Sequence, residues 1–217
     1  MTAQESSGVG KRKKHFLRIG VTGGIGSGKS LVCALFSEFG FPVLSADNIA
    51  KRLLRSDPSL RRKLTLLLGP EAYTRSGALD RGYVASRIFS DASLQHSVNR
   101  LVHPEVESTL DKEFQKLKKS GKNSAIVEAA LIFEAGYDAE LDLVIVVDAP
   151  QAQRIMRVRR RDGSREVDVR RRMKAQWPVE KKLKKADYVI RNAGSRTKLR
   201  QSVRFLAGVL NTIAENQ

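Results

Sequence analysis

The chain has 217 residues, 41% of them hydrophobic, enough for one sizeable core with room for a small inserted subdomain. Forty Lys and Arg against 23 Asp and Glu give a formal charge of +17, which favours anionic partners without choosing among nucleic acid, an acidic membrane surface and polyphosphate small molecules. The single cysteine excludes an internal disulfide and suits a reducing, cytoplasmic setting, and no apolar run is long enough to span a bilayer, so no membrane insertion is expected.

Residues 1–16, "MTAQESSGVGKRKKHF", carry no apolar signal segment, and the "KRKK" at 11–14 reads as part of a solvated basic tail. "FLRIGV" (16–21) then reads as a buried strand running into a glycine-rich loop. Val32, Leu35, Phe36 and Phe39 follow at helical spacing, with Cys33 among them as a core residue, and Gly40 closes that helix. "PVLSA" (42–46) is a second strand, while "SAIVEAA" (124–130), "LDLVIVVDA" (141–149) and "DYVIR" (187–191) are the remaining strand candidates. Between the second and third strands the pattern is mostly helical. Its clearest piece begins "HPEVESTLDKEF", where Pro104 suits a first helical turn and Lys116, Lys118, Lys119 and Gly121 suit the exit. Apolar strands alternating with helices predict an α/β fold, a five-stranded parallel sheet covered on both faces, with a helical lobe over the strand ends at about 50–120.

Gly23-Gly24-Ile25-Gly26-Ser27-Gly28-Lys29-Ser30 satisfies the phosphate-loop pattern G-x-x-x-x-G-K-[ST]. Glycines let the backbone turn several N–H groups inward onto phosphate oxygens, and the following helix contributes its positive end. In such a loop Lys29 reaches the β- and γ-phosphates of ATP, and the Ser30 hydroxyl ligates Mg²⁺. A dinucleotide-binding reading fails, because a glycine would be needed where Lys29 stands.

Asp47 follows the second strand, at the sheet edge where ligands of open α/β sheets bind. A carboxylate there can take the proton of a substrate hydroxyl; it can equally cap the helix of "NIAKRLL", and spacing alone does not decide. From Arg154 to Lys174 ten basic residues surround a turn at Asp162-Gly163-Ser164. This is the pattern of two helices folding as a lid at about 150–180, although most of these charges need be no more than a solvated face. Asp148 ends its strand as either a Mg²⁺-site acid or, the favoured reading, a turn residue before Pro150. Trp177-Pro178 is expected to pack the lid base. His15, His96 and His103 lack metal-ligand spacing, and His103 beside Pro104 stands open as a polar contact near the substrate lobe.

Taken together in order, "VTGGIGSGKS", "VLSADNIAKRL", "GALDRGYVASRIFSD", "LVHPEV", "ALIFE", "LVIVVDAP", "RVRRRDG", "KAQ" and "ADYVIRNAG" resemble the dephospho-CoA kinase family, P-loop kinases of the nucleoside-monophosphate kinase type. The likeness runs from about Leu17 to Leu210, within a kinase domain placed at 17–217. It implies ATP- and Mg²⁺-dependent phosphorylation of the ribose 3′-hydroxyl of dephospho-CoA, the last step of CoA synthesis. It also implies that Asp47 activates that hydroxyl, that Gly26 through Leu31 contact the ATP phosphates, and that Arg157 is a lid arginine near the transferred phosphoryl. Lys51 and His103 are its substrate-side candidates. The chain departs from the family pattern at Ser45, where Asp is usual, and at Leu31, where Thr is usual. It departs again at Ala130 in place of Pro, and at Lys51 in place of Arg, which weakens any bidentate phosphate contact there; the lid is about one residue short after Gly163. The rival readings are another small-molecule P-loop kinase and a nucleotide-dependent nucleic-acid-binding module. The basic segment lacks the interleaved aromatics that stacked bases require, so no nucleic-acid partner is expected. Oligomeric state is not legible.

Overall fold

A computed structural model describes residues 15–216; the "KRKK" segment lies outside the described residues. Five strands, β1 (Leu17–Thr22), β2 (Val43–Ser45), β3 (Ser124–Glu128), β4 (Leu143–Asp148) and β5 (Tyr188–Arg191), form one sheet in the order β2-β3-β1-β4-β5. Every pairing is parallel, with Val21 of β1 opposite both Glu128 of β3 and Ile145 of β4. The glycine-rich loop therefore leaves the middle of the sheet. The chain reaches β3 on one side of β1 and β4 on the other, so their carboxyl ends surround that loop.

Leu17, Ile19 and Val21 alternate toward one face of β1 and are fully buried against α1 (Lys29–Glu38) and α9 (Arg196–Asn216). Val32, Cys33, Leu35 and Phe36 of α1 and Val203, Leu206 and Leu210 of α9 complete that half of the core. The opposite face carries the helices inserted between β2 and β3: α2 (Ala46–Ser56), α3 (Pro58–Leu68), α4 (Arg81–Ser90) and α5 (Ala92–Lys119). After β4 come α6 (Gln151–Asp162) and α7 (Glu166–Lys174), an arginine-rich hairpin, and then the short α8 (Val179–Lys185).

Strand boundaries all fall within two residues of those expected, the expected third strand (124–130) ending at Glu128. The lobe's longest helix is a correction. Pro104 does not open it: α5 starts at Ala92, capped by Asp91, whose carboxylate accepts from Ser93 N and Leu94 N, and Pro104 lies in its interior. A proline there removes one helical hydrogen bond. The stripe Val98, Val102, Val106, Leu110 and Phe114 nevertheless runs unbroken across it at i, i+4 spacing, and all five are buried. Burial of that stripe, at roughly 1.5–3 kcal/mol per large apolar side chain, outweighs the lost bond.

Candidate active site

The loop between β1 and α1 is shaped by left-handed glycines. Gly26 and Gly28 have φ of 77° and 96°, where a side chain costs about 1–2 kcal/mol. At Gly28 a Cβ would also sit 2.1 Å from Asn192 Nδ2, the group that donates to Ser27 O at 2.8 Å. The N–H groups of Gly26, Gly28, Lys29, Ser30 and Leu31 have no hydrogen-bond partner among the described residues. A row of free donors at a helix N-terminus is an arrangement able to cradle phosphate oxygens. Gly23, Gly24 and Ile25 also brace the loop. A Cβ on Gly23 would meet Val147 O at 2.2 Å, one on Gly24 would meet Arg154 Nη2 at 2.4 Å, and Ile25 N donates to Gln176 Oε1 at 2.9 Å. These three residues fix the loop to β4, α6 and the segment after α7.

Lys29 Nζ donates to Gly23 O at 2.9 Å. Burial lowers its pKa to about 8; the carboxylates of Asp47 and Glu128 oppose that shift, and the ammonium of Lys182 adds to it. The loop, the start of α2 and the end of β3 thus lie close enough for their charges to act on one another. Glu128 was not anticipated. It ends β3, and its Oε1 accepts the Ser30 hydroxyl at 2.6 Å. The available signal was a single carboxylate closing an apolar strand. A hydroxyl and a carboxylate oxygen side by side are the donor types that Mg²⁺ takes, so the residues present fit that ion. Asp148, the other strand-end acid, lines a cleft with Arg154, Trp177 and Glu180.

Asp47 stands exposed in the first turn of α2. It is not the cap: Ser45 caps that helix, its hydroxyl accepting from Asn48 N at 3.4 Å. The Asp47 side chain is therefore left to the cleft, where it lines a chamber of about 270 Å³ together with His103, Val102 and Ala129. Burial lowers the pKa of His103 below its usual value. Lys51 is turned away from that chamber, into a second cavity with Asn48, Arg52 and Arg55.

Arg157, on α6, reaches the loop: its guanidinium donates to Ser27 O at 3.3 Å and to Asn192 O at 2.9 Å, and it lines a 210 Å³ cavity with Gly28, Lys29, Ser30 and Arg161. Arg154 is buried beneath the loop and donates to Ile25 O at 3.1 Å. Most other charges of the hairpin are spent locally, as in Arg159–Glu166, Arg161–Asp162, Arg165–Asp168 and Arg172–Asp162. The hairpin packs Ile155, Val158 and Val169 against Ile25. Trp177 lies at its base, against the cluster of Ile132, Phe133, Val144 and Val146. Beneath it Lys182, fully buried, donates to Ala130 O at 2.8 Å and pairs with Glu134 Oε1 at 2.7 Å; the same oxygen accepts Trp177 N.

A model of the dephospho-CoA kinase family matches residues 17–198. A dephospho-CoA kinase of Chlorobaculum tepidum is 41% identical over 203 residues, covering 92% of this chain and 97% of that protein. One from Corynebacterium glutamicum is 38% identical over 92% of this chain and 99% of its own length. Among solved structures, a dephospho-CoA kinase from Campylobacter jejuni superposes with a TM-score of 0.66 at 27% identity, covering 92% of this chain and 98% of that one. TT1252 from Thermus thermophilus superposes with a TM-score of 0.79 at 36% identity, covering 91% and 99%. The likeness in sequence spans both the glycine-rich loop and the helical insertion that holds Asp47, and the chain belongs to the dephospho-CoA kinase family.

Proposed function

We infer that this protein transfers the γ-phosphoryl group of ATP to the ribose 3′-hydroxyl of dephospho-CoA, giving CoA and ADP. Family membership gives the reaction. What supports giving it to particular residues is that the carboxylates of Asp47 and Glu128 both act electrostatically on Lys29 of the phosphate loop, with Glu128 hydrogen-bonded to Ser30. The unpartnered N–H groups of Gly26 and of Gly28 through Leu31 hold the donor's phosphates, and Lys29 neutralises the β- and γ-oxygens. Ser30 and Glu128 are the residues that would hold Mg²⁺, which when bound supplies charge neutralisation across the phosphates. Asp47 accepts the proton of the attacking hydroxyl, so that the oxygen gains nucleophilic character as its bond to phosphorus forms. Arg157 faces the same phosphates from α6 and stabilises the negative charge on the transferred group. In this reading the helices from α2 to α5 are the acceptor lobe, and α6 and α7 are the lid that keeps water from competing with the acceptor hydroxyl.

The test is ADP release by the purified protein with ATP and Mg²⁺, offered dephospho-CoA, AMP, CMP or no acceptor. Dephospho-CoA should stimulate release well above every other condition; no stimulation over the acceptor-free control refutes the assignment. Asp47→Asn should bind a non-hydrolysable ATP analogue normally and lose about 10²–10⁴-fold in kcat, the usual worth of a positioned general base. Turnover near wild type would remove Asp47 from the mechanism.

A further inference from the structure

Of the lysines of α8, Lys181, Lys184 and Lys185 are exposed, whereas Lys182 is fully buried. Its contacts lead to both ends of the phosphate loop. Ala130, whose carbonyl accepts from Lys182 Nζ at 2.8 Å, lies two residues past Glu128, and the same carbonyl accepts the Thr22 hydroxyl at 3.3 Å. Thr22 ends β1 and directly precedes Gly23. Glu134 Oε1, 2.7 Å from the Lys182 ammonium, also accepts Trp177 N at 2.9 Å. Trp177 follows Gln176, whose side chain accepts from Ile25 N within the loop. The segment by which the arginine-rich hairpin returns to the sheet is therefore held twice. Gln176 fixes it to the middle of the loop, and Trp177, through Glu134 and Lys182, fixes it to the loop's base.

Stability alone does not call for a charge at this position. Ions taken out of water lose solvation that their mutual attraction only partly returns, and an apolar pair of similar volume often holds a core as well or better. Glu134 Oε2 is buried with no hydrogen-bond partner among the described residues, so the pair leaves one of its own polar atoms unmet. What the ammonium adds over an apolar side chain is direction, because its N–H groups hold two oxygens at fixed distances. It is also near enough to Lys29 to act on that charge. We propose that Lys182 is a positioning residue for phosphoryl transfer: it sets the seat of the arginine-rich hairpin over the phosphate loop, and with it the aim of Arg157. The proposal rests on the reading that α6 and α7 close over a bound donor. Arg157 reaches Ser27 O and Asn192 O from α6. Ile155 and Val158 of α6 and Val169 of α7 pack together with Ile25, so a shift where α7 returns to the sheet is passed to α6. Misplacing a group aimed at the transition state by about 1 Å can lower the rate about a hundredfold. The hydrogen bonds of Lys182, Glu134 and Gln176 reach none of the helices from α2 to α5, so acceptor binding should change little.

The experiment measures kcat and KM for dephospho-CoA, at ATP saturating for each protein, in the wild type, in Lys182→Met and in Lys182→Met combined with Glu134→Gln. Each rate is divided by the fraction of protein folded under the assay conditions, read by circular dichroism. The double variant has no lone buried charge; it keeps an acceptor for Trp177 N, and Ala130 O keeps its bond from Thr22, so most of the stability should return. Its kcat per folded molecule should nonetheless stay about 10–100-fold below wild type, with KM for dephospho-CoA within about threefold. A structural role alone predicts the opposite, turnover that returns with stability. The proposal is overturned if the folded double variant turns over within about twofold of wild type, or if the loss appears mainly in KM, which would place the effect on acceptor binding. A wild-type protein that shows no turnover with dephospho-CoA instead refutes the assigned reaction, and this proposal with it.

Discussion

Replacing Lys182 with methionine should cost more stability than any other single polar substitution in the segment that follows the arginine-rich hairpin. The ammonium is fully buried and ties α8 to one segment distant in sequence, through Ala130 O at 2.8 Å and Glu134 Oε1 at 2.7 Å. Methionine fills much the same volume, so the loss is electrostatic rather than one of packing. It leaves the Glu134 carboxylate with Trp177 N as its remaining donor, since Oε2 has no hydrogen-bond partner among the described residues. Removing one member of a buried pair costs about 3–5 kcal/mol, because the other charge stays in a medium that cannot solvate it. At about 2–4 °C per kcal/mol for a chain of this size, the unfolding midpoint should fall by about 6–20 °C. The double variant, Lys182→Met with Glu134→Gln, removes both charges and keeps an acceptor for Trp177 N, so most of that loss should return. Urea unfolding at neutral pH of the wild type, both single variants and the double variant gives the cycle. A single-variant loss below about 1 kcal/mol, or a double variant no more stable than the weaker single one, would refute the claim that pairing is what permits this burial.

The depressed Lys29 pKa should make donor binding pH-dependent. Below about 8 the side chain is charged and holds the triphosphate; above it the free protein must first take up a proton, so Kd for a non-hydrolysable ATP analogue should rise up to about tenfold per pH unit. Calorimetry from pH 7 to 9.5 checks this, and a flat profile contradicts it. Gly28→Ala should lose about 2–3 kcal/mol, from left-handed strain plus the Asn192–Ser27 hydrogen bond it displaces. Gly163→Ala, at φ 64° with open space around the new Cβ, should lose only about 1 kcal/mol; equal effects in thermal unfolding would mean that contact with Asn192 contributes nothing. Glu128→Gln should reduce turnover about 10–100-fold at low Mg²⁺ and recover partly as Mg²⁺ is raised. A loss insensitive to Mg²⁺ would remove Glu128 from the ion's site.

What the sequence conveys about this site depends on how local each residue's task is. The phosphate loop is legible because its constraints are contiguous: left-handed turns at Gly26 and Gly28, a lysine and a hydroxyl at fixed offsets, a strand before and a helix after. Asp47 was ambiguous between cap and base, and one neighbouring side chain resolves the geometry: Ser45, the residue that departs from the family's usual Asp, takes the capping bond and leaves the Asp47 carboxylate to the cleft. Glu128 was invisible for the opposite reason. Its meaning comes from β3 lying beside β1 in register, which brings a residue 98 positions away within 2.6 Å of Ser30, and nothing local marks that pairing. The same holds for Gln176 and Asn192, which hold the loop from elements over a hundred residues downstream. Pro104 misled because its local preference for a helix start is real but weak, and the five buried apolar residues of α5 that run past it exert the larger force. Residues that make the chemistry possible at all are thus written as motifs, whereas those that aim and brace it are written in the order of the strands.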